Sequence, residues 1–129
     1  ICRILNESPE FVPNRTFLLQ PMSGHETLRA YFDAHGFCVQ EERLVAENRR
    51  IYPVCKVRYD GVVRKSDPLA LYCGARNLTR TDEVTRAYLC RVRAHLKRAT
   101  RHESALESVV RALSDRLADF PQNKEDERI

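Results

Sequence analysis

The chain has 129 residues, of which 43% are hydrophobic and 31% charged, and its formal net charge is +4. This size and composition are typical of a single globular domain that can bury a useful core. No apolar run approaches the roughly 20 residues that a membrane-spanning helix needs, and no signal-peptide pattern is present, so we expect a soluble cytoplasmic protein.

Five cysteines are spread widely along the chain, at positions Cys2, Cys38, Cys55, Cys73 and Cys90. No two of them have the two-residue spacing of zinc or redox sites, and the histidines lack the paired helical spacing of a zinc protease. We therefore expect no metal site and no disulfide. The cysteines are expected to act as small, mostly buried hydrophobic side chains in a reducing compartment.

The first predicted elements are the end of a helix and a short strand. Residues 1–5 are typical of the last turns of an amphipathic helix, and prolines and polar residues follow. The apolar run Thr16–Leu19 predicts a strand covered on both faces. Gln20 and Pro21 end it, because proline cannot donate to a central sheet.

A helix follows this strand. Ser23 and Glu26 have the spacing of a capping box, and apolar residues then recur at helical spacing until Gly36 ends the helix. A strand, a turn and a helix make one unit of an alternating α/β sheet. The residues ahead of Phe17 are too few to supply the other strands and crossovers of such a sheet, so we expect the rest of it to lie upstream.

Two extended segments come next, Phe37–Ala46 and Arg49–Tyr59, joined through Glu47 and Asn48 as an antiparallel hairpin. In the second segment Pro53 favours an edge position or a bulge. Residues Ser66–Gly74 predict a short helix or a helical turn. Ala75–Phe120 contains neither glycine nor proline, so we expect it to be largely helical.

Apolar residues recur at alternating three- and four-residue steps through this last segment, which is the pattern of a coiled-coil seam. They are Leu89, Val92, Leu96, Ala99, Leu106, Val110, Leu113, Leu117 and Phe120. Thr100 and Glu103 match a second capping box, which favours two helices folded as an antiparallel hairpin. One continuous helix of about 40 residues is the alternative, since the register is unbroken.

Positive charge is concentrated on the first of these helices, where Arg76–Arg101 contains eight basic and two acidic residues. At 100° per residue, a narrow stripe opposite the seam is formed by four of them, with two more beside it. The stripe contains Arg86, Arg93, Lys97 and Arg101, and its flanks contain Arg91 and Arg98. Such a stripe can follow a phosphate backbone. A solvated helix face with no partner is the alternative.

The ordered segments LLQP, LRAYFDAHGF, EERLVAENRRIYPVCKV and DPLALYCG, followed by a helical hairpin, resemble the C-terminal half of the bacterial tRNA (adenine-N1)-methyltransferase family. The resemblance covers about residues 1–120. It implies a class I methyltransferase: an α/β protein with the C-terminal part of a Rossmann-like sheet, followed by an α-helical coiled-coil extension that helps to hold tRNA.

By this resemblance, Gln20 and Pro21 lie at the rim of the active site, and Tyr52 matches a recurring tyrosine of the strand hairpin. The cofactor would be S-adenosylmethionine, and most of its site would lie upstream. The expected divisions are residues 1–65 for the sheet, 66–120 for the tRNA-binding hairpin and 121–129 for a polar disordered tail.

The resemblance therefore implies a piece of a tRNA methyltransferase that supplies a cleft wall and tRNA binding, and that is inactive alone. We expect Arg86, Arg91, Arg93, Lys97, Arg98 and Arg101 to bind the tRNA backbone. Two alternatives use the same helices without methyl transfer. One is a non-enzymatic RNA-binding module, and the other is a hairpin that binds a protein through its seam.

Overall fold

A computed structural model describes residue 1 and residues 15–101 and 104–121. The predicted helix end at 1–5 and the tail at 121–129 lie outside the described residues, apart from Ile1 and Pro121. The chain divides into two compact units, Ile1–Thr79 and Arg80–Ile129, and each is described by itself.

The first unit contains a three-stranded sheet and a helix. Strand β1 spans Thr16–Leu19, helix α1 His25–His35, strand β2 Phe37–Glu47 and strand β3 Arg50–Tyr59. The order in the sheet is β1-β3-β2, and β3 is antiparallel to both neighbours. The predicted strand, helix and hairpin are confirmed, and the strand ends differ from the prediction by at most one residue.

The core of this unit lies on one face of the sheet. Leu28 and Phe32 of α1 pack against Phe37, Cys55 and Val57, all buried. Successive strand residues point to opposite faces, so the other face of β1 lies away from α1. Leu18 on that face is 75% exposed. In the described residues β1 is thus covered on one face, whereas the sequence predicted cover on both.

The predicted capping box at the start of α1 is wrong. Gly24 occupies the N-cap position in a left-handed conformation, with φ 66°, and no side chain caps the helix. Ser23 is therefore one residue too early to reach the free backbone N–H groups of the first turn. The predicted stop is confirmed, since Gly36 is left-handed with φ 77° and its N–H donates to Phe32 O.

The hairpin turn and Pro53 follow local backbone rules. Asn48 and Arg49 both have positive φ, as the two central residues of a tight hairpin turn require. Pro53 pairs with Leu44 in the central strand β3, but β1 reaches only Cys55–Arg58. The other side of Pro53 therefore has no strand beside it in this sheet. The N–H group that proline lacks is not needed for a hydrogen bond on that side.

A short helix completes the first unit. Helix α2 spans Pro68–Cys73, as predicted. Asp67 caps it by accepting a hydrogen bond of 2.8 Å from Ala70 N, and proline opens its first turn. A single 3₁₀ turn follows at Asn77–Thr79.

The second unit contains helix α3 at Glu83–Ala99, a 3₁₀ turn at Ser104–Leu106 and helix α4 at Glu107–Ala118. The alternative of one continuous helix is wrong, because the chain leaves the helix after Ala99. Helices α3 and α4 contact each other. Their winding as a coiled coil stays a prediction.

The predicted seam supplies much of the buried surface of the second unit. Leu89, Leu96, Leu106, Leu113 and Phe120 are buried. Thr100 ends α3, and its hydroxyl donates to Lys97 O at 2.7 Å. Glu103, its partner in the second predicted capping box, lies outside the described residues. The cap of α3 lies at Asp82, and hydrogen bonds from Thr85 lower the pKa of that carboxyl.

Candidate functional site

The turn after β1 contains the two residues predicted at the rim of the active site. Gln20 is exposed and Pro21 is buried. The His25 Nε2–H group donates to Pro21 O at 3.0 Å, because a carbonyl oxygen can only accept. Burial lowers the pKa of His25, opposed by this hydrogen bond. A neutral imidazole from the first turn of α1 therefore fixes the backbone of the turn.

A buried ion pair joins α1 to the sheet. Arg29 Nη2 lies 2.7 Å from Glu42 Oε1, and the two side chains are only 10% and 3% exposed. Arg29 Nη1 also donates to Leu71 O at 2.9 Å and to Tyr72 O at 3.0 Å. One guanidinium thus connects three elements, α1, β2 and α2. Sequence reasoning missed both members of the pair.

The surroundings of Glu42 are polar and tightly packed. The Cys55 thiol donates to Glu42 Oε1 at 3.6 Å. Asn77 is fully buried and its Nδ2 donates to Cys73 O at 2.8 Å, which holds the chain after α2 in place. Because buried charges are costly unless every group is paired, this network fixes the residues after β3 against the sheet.

Two buried thiols lie in this region. Burial, with the negative charge of Glu42 as a further cause, raises the pKa of Cys55 to about 12. Burial also raises the pKa of Cys73 to about 12, opposed by Arg29. Thiols of this kind are unreactive, because the thiolate is the nucleophile.

We expect iodoacetamide at pH 8 to label Cys38 and Cys90, which are half-buried, well before Cys55 and Cys73. Peptide mass spectrometry over a time course measures the order. The matched reaction in urea should label all four at similar rates. Equal rates in the folded protein would contradict the buried placement of Cys55 and Cys73.

The predicted basic residues lie in the second unit. Arg91, Lys97, Arg98 and Arg101 are exposed, while Arg86 and Arg93 are half-buried. None of the six forms an ion pair in the part of the chain that the structure describes. Five lie on α3, but Arg101 follows the end of the helix, so helical periodicity does not place it on the stripe.

Tyr52 is half-buried and pairs with Val45 across the hairpin, on the sheet face away from α1.

Over residues 15–101 and 104–121, no helix is both long and apolar enough to cross a bilayer. Within the same ranges no three histidine, cysteine or acidic side chains are grouped as metal ligands.

A sequence model of the family TrmK, tRNA (adenine(22)-N(1))-methyltransferase, matches residues 1–120. The chain belongs to the TrmK family. No significant match was found among curated proteins.

Solved structures with the same fold include Sp1610 of Streptococcus pneumoniae, a candidate tRNA (m1A22) methyltransferase in complex with S-adenosyl-L-methionine. The TM-score is 0.75 at 22% identity, over 91% of this chain and 54% of that one. The m1A22 tRNA methyltransferase TrmK of B. subtilis has a TM-score of 0.63 at 14% identity, over 91% and 55%.

TrmK of M. capricolum, in complex with S-adenosyl-homocysteine, has a TM-score of 0.59 at 10% identity, over 91% of this chain and 54% of that one. The chain therefore spans about half the length of the solved structures that it matches. These likenesses show an α/β fold that matches Rossmann-like structures.

Proposed function

We propose that the intact protein transfers a methyl group from S-adenosylmethionine to a ring nitrogen of an adenine in tRNA, and that this chain supplies a cleft wall and tRNA binding. The family match over residues 1–120 carries the proposal. The names of the solved relatives support the same substrate and cofactor.

The described residues do not fit a complete cofactor site. In open α/β sheets, ligands bind outside the carboxyl ends of the strands. The structure has a cavity of about 440 Å³. Arg29 and Glu42 are among the residues that line it, and they are already paired with each other. No residue of β1 or of the turn at 20–24 lines this cavity. We therefore assign this chain no step that runs through the cofactor, and propose that it is inactive alone.

The contribution of the first unit is a rigid wall. Gln20 is the exposed polar group at the end of β1, and Pro21 beneath it is buried and held through its carbonyl by His25. A fixed wall limits the positions that a bound base can take, and such positioning accounts for a large part of catalysis. Gln20 is thus proposed as a rim residue that orients the adenine, and Pro21 as its support.

The contribution of the second unit is proposed to be tRNA binding by the basic residues of α3 and by Arg101. Exposed cations without an ion pair are available to neutralise phosphates, and phosphate contacts set the register of a nucleic acid on a protein. The target adenine must also be accessible, so we expect local unpairing of the tRNA in the complex.

Methyl transfer from radiolabelled S-adenosylmethionine to tRNA tests the proposal. We expect the intact protein to label a tRNA with adenine at position 22, the position named in the family description, and not the same tRNA with guanine there. Residues 1–129 alone should label neither. Tight tRNA binding by the intact protein without any transfer would contradict the proposal and favour the non-enzymatic RNA-binding module.

Two of the proposed tRNA-binding residues, Lys97 on α3 and Arg101 after its end, have a test of their own. We expect Lys97→Glu with Arg101→Glu to raise the Kd of the intact protein for tRNA about tenfold or more, and to lower the slope of log K against log salt by about two. Both side chains are exposed, so folding should be preserved. Filter binding from 50 to 200 mM salt measures both quantities.

The matched control is Lys65→Glu with Arg111→Glu. These two side chains are also exposed, and the variant changes the charge by the same amount outside the stripe. We expect the control to retain most of the affinity. Equal losses in the two variants would show that net charge, and not the position of Lys97 and Arg101, determines binding.

A further inference from the structure

The sheet has a second face, away from α1. Side chains of β3 point to this face at every second position, and we call these residues the outer row. The outer row consists of Arg50, Tyr52, Val54, Lys56 and Arg58, and it contains no acidic residue. The alternate residues, Cys55 and Val57, are buried in the core.

Lys56 and Arg58 are both exposed and form no ion pair within the described part of the chain. They are two residues apart on one strand, so their backbone positions are about 7 Å apart. Lys56 pairs with Leu18 and Glu41, and Arg58 with Thr16 and Cys38. Three of the four neighbours are therefore uncharged.

The one acidic neighbour is already engaged by another group. Glu41 Oε1 lies 2.6 Å from Arg43 Nε on the same face. The pair Glu41–Arg43 is neutral overall, so it does not cancel the charge of the adjacent Lys56. Two unneutralised cations at strand spacing on an open sheet face attract a polyanion with regularly spaced charges.

We propose that the outer row is a second RNA-binding surface, on which Lys56 and Arg58 contact successive phosphates of the tRNA backbone. The proposal rests on the proposed function, since tRNA is the polyanion that the intact enzyme would hold. Contacts of this kind carry no sequence information, so the surface sets affinity and orientation, and the choice of adenine is made at the cleft.

The alternative occupant of this face is another part of the intact protein. Such an element would have to bury Lys56 and Arg58, and a buried charge is costly unless it is paired. Leu18 beside Lys56 and Val45 opposite Tyr52 are exposed apolar groups that such an element would cover. The two alternatives therefore predict different effects of replacing Lys56 and Arg58. The replacement changes the stability of a face that is covered by protein, but not that of a face that binds RNA.

The test is Lys56→Glu with Arg58→Glu in the intact protein, with Lys56→Gln and Arg58→Gln as a milder second variant. We expect the Kd for tRNA to rise about tenfold in the first variant, with a smaller rise in the second, and the salt slope to fall by about two. The matched control is again Lys65→Glu with Arg111→Glu. The melting temperature of the glutamine variant should not change, because this variant places no carboxylate opposite Glu41.

An unchanged Kd in both variants overturns the proposal, and so does a lowered melting temperature of the glutamine variant, which would mean that the face is covered by protein. Loss of binding to phosphatidylserine vesicles with tRNA binding retained would assign the face to a membrane and overturn it too. Methyl transfer by the intact protein is measured in parallel. If the unmodified protein transfers the methyl group and the Kd of the variants is unchanged, only the proposal for the outer row is rejected. If the unmodified protein transfers no methyl group, the proposed function is rejected.

Discussion

Replacing Arg29 by alanine is expected to destabilise the sheet unit by about 3–5 kcal/mol, the usual cost of removing one partner from a buried ion pair. Glu42 would be left without its cation while only 3% exposed. The carbonyls of Leu71 and Tyr72 would also lose their donor. Hydrogen exchange of the β3 amides measures the free energy of opening in this region.

Two variants separate the buried pair from general effects of losing an arginine. Arg43→Ala removes the arginine of the exposed pair with Glu41 on the same sheet, where Arg43 is 76% exposed, and should cost less than about 1 kcal/mol. Arg29→Met with Glu42→Leu removes both charges and should recover most of the loss. A small effect of Arg29→Ala would show that water reaches Glu42.

The ion pair between Arg29 and Glu42 could not be predicted from the sequence. Alternation from Phe37 and Val39 assigns Glu41 to the core face of β2 and Glu42 to solvent. The structure has a bulge between Val39 and Glu41, which shifts every later residue to the other face. Glu42 is therefore buried opposite Cys55, and Arg29 on α1 is its partner. A bulge of one residue has no strong local signal in the sequence.

Elements with strong local signals were predictable. The strand Thr16–Leu19, the helix stop at Gly36 and the buried leucines of α3 and α4 follow from short-range patterns. The placement of five basic residues on one helix was predictable for the same reason, whereas Arg101 lies beyond the helix end. The hydrogen bond from His25 to Pro21 could not, because it depends on the conformation of the turn between β1 and α1.

Gly74→Ala is expected to destabilise the same region by about 3 kcal/mol or more, because backbone strain of about 1–3 kcal/mol adds to a steric clash. Gly74 has φ 85° and ψ 122°, a conformation open only to glycine among common residues. A methyl group there would overlap Glu42 Oε2 and lie 2.9 Å from Asn77 Nδ2 and 3.0 Å from Arg29 Nη2. The new methyl group would thus push directly on the buried ion pair.

Gly24→Ala is the matched control, since Gly24 also has positive φ, at 66°, but an added methyl group would meet no atom within 4 Å. It should cost only the left-handed strain, about 1–2 kcal/mol. In the variant Gly74→Ala, the amides of both α1 and β2 should exchange faster, because Arg29 and Glu42 hold these elements together. If the two alanine variants lose the same stability, backbone conformation alone explains Gly74, and its close packing against the ion pair contributes nothing.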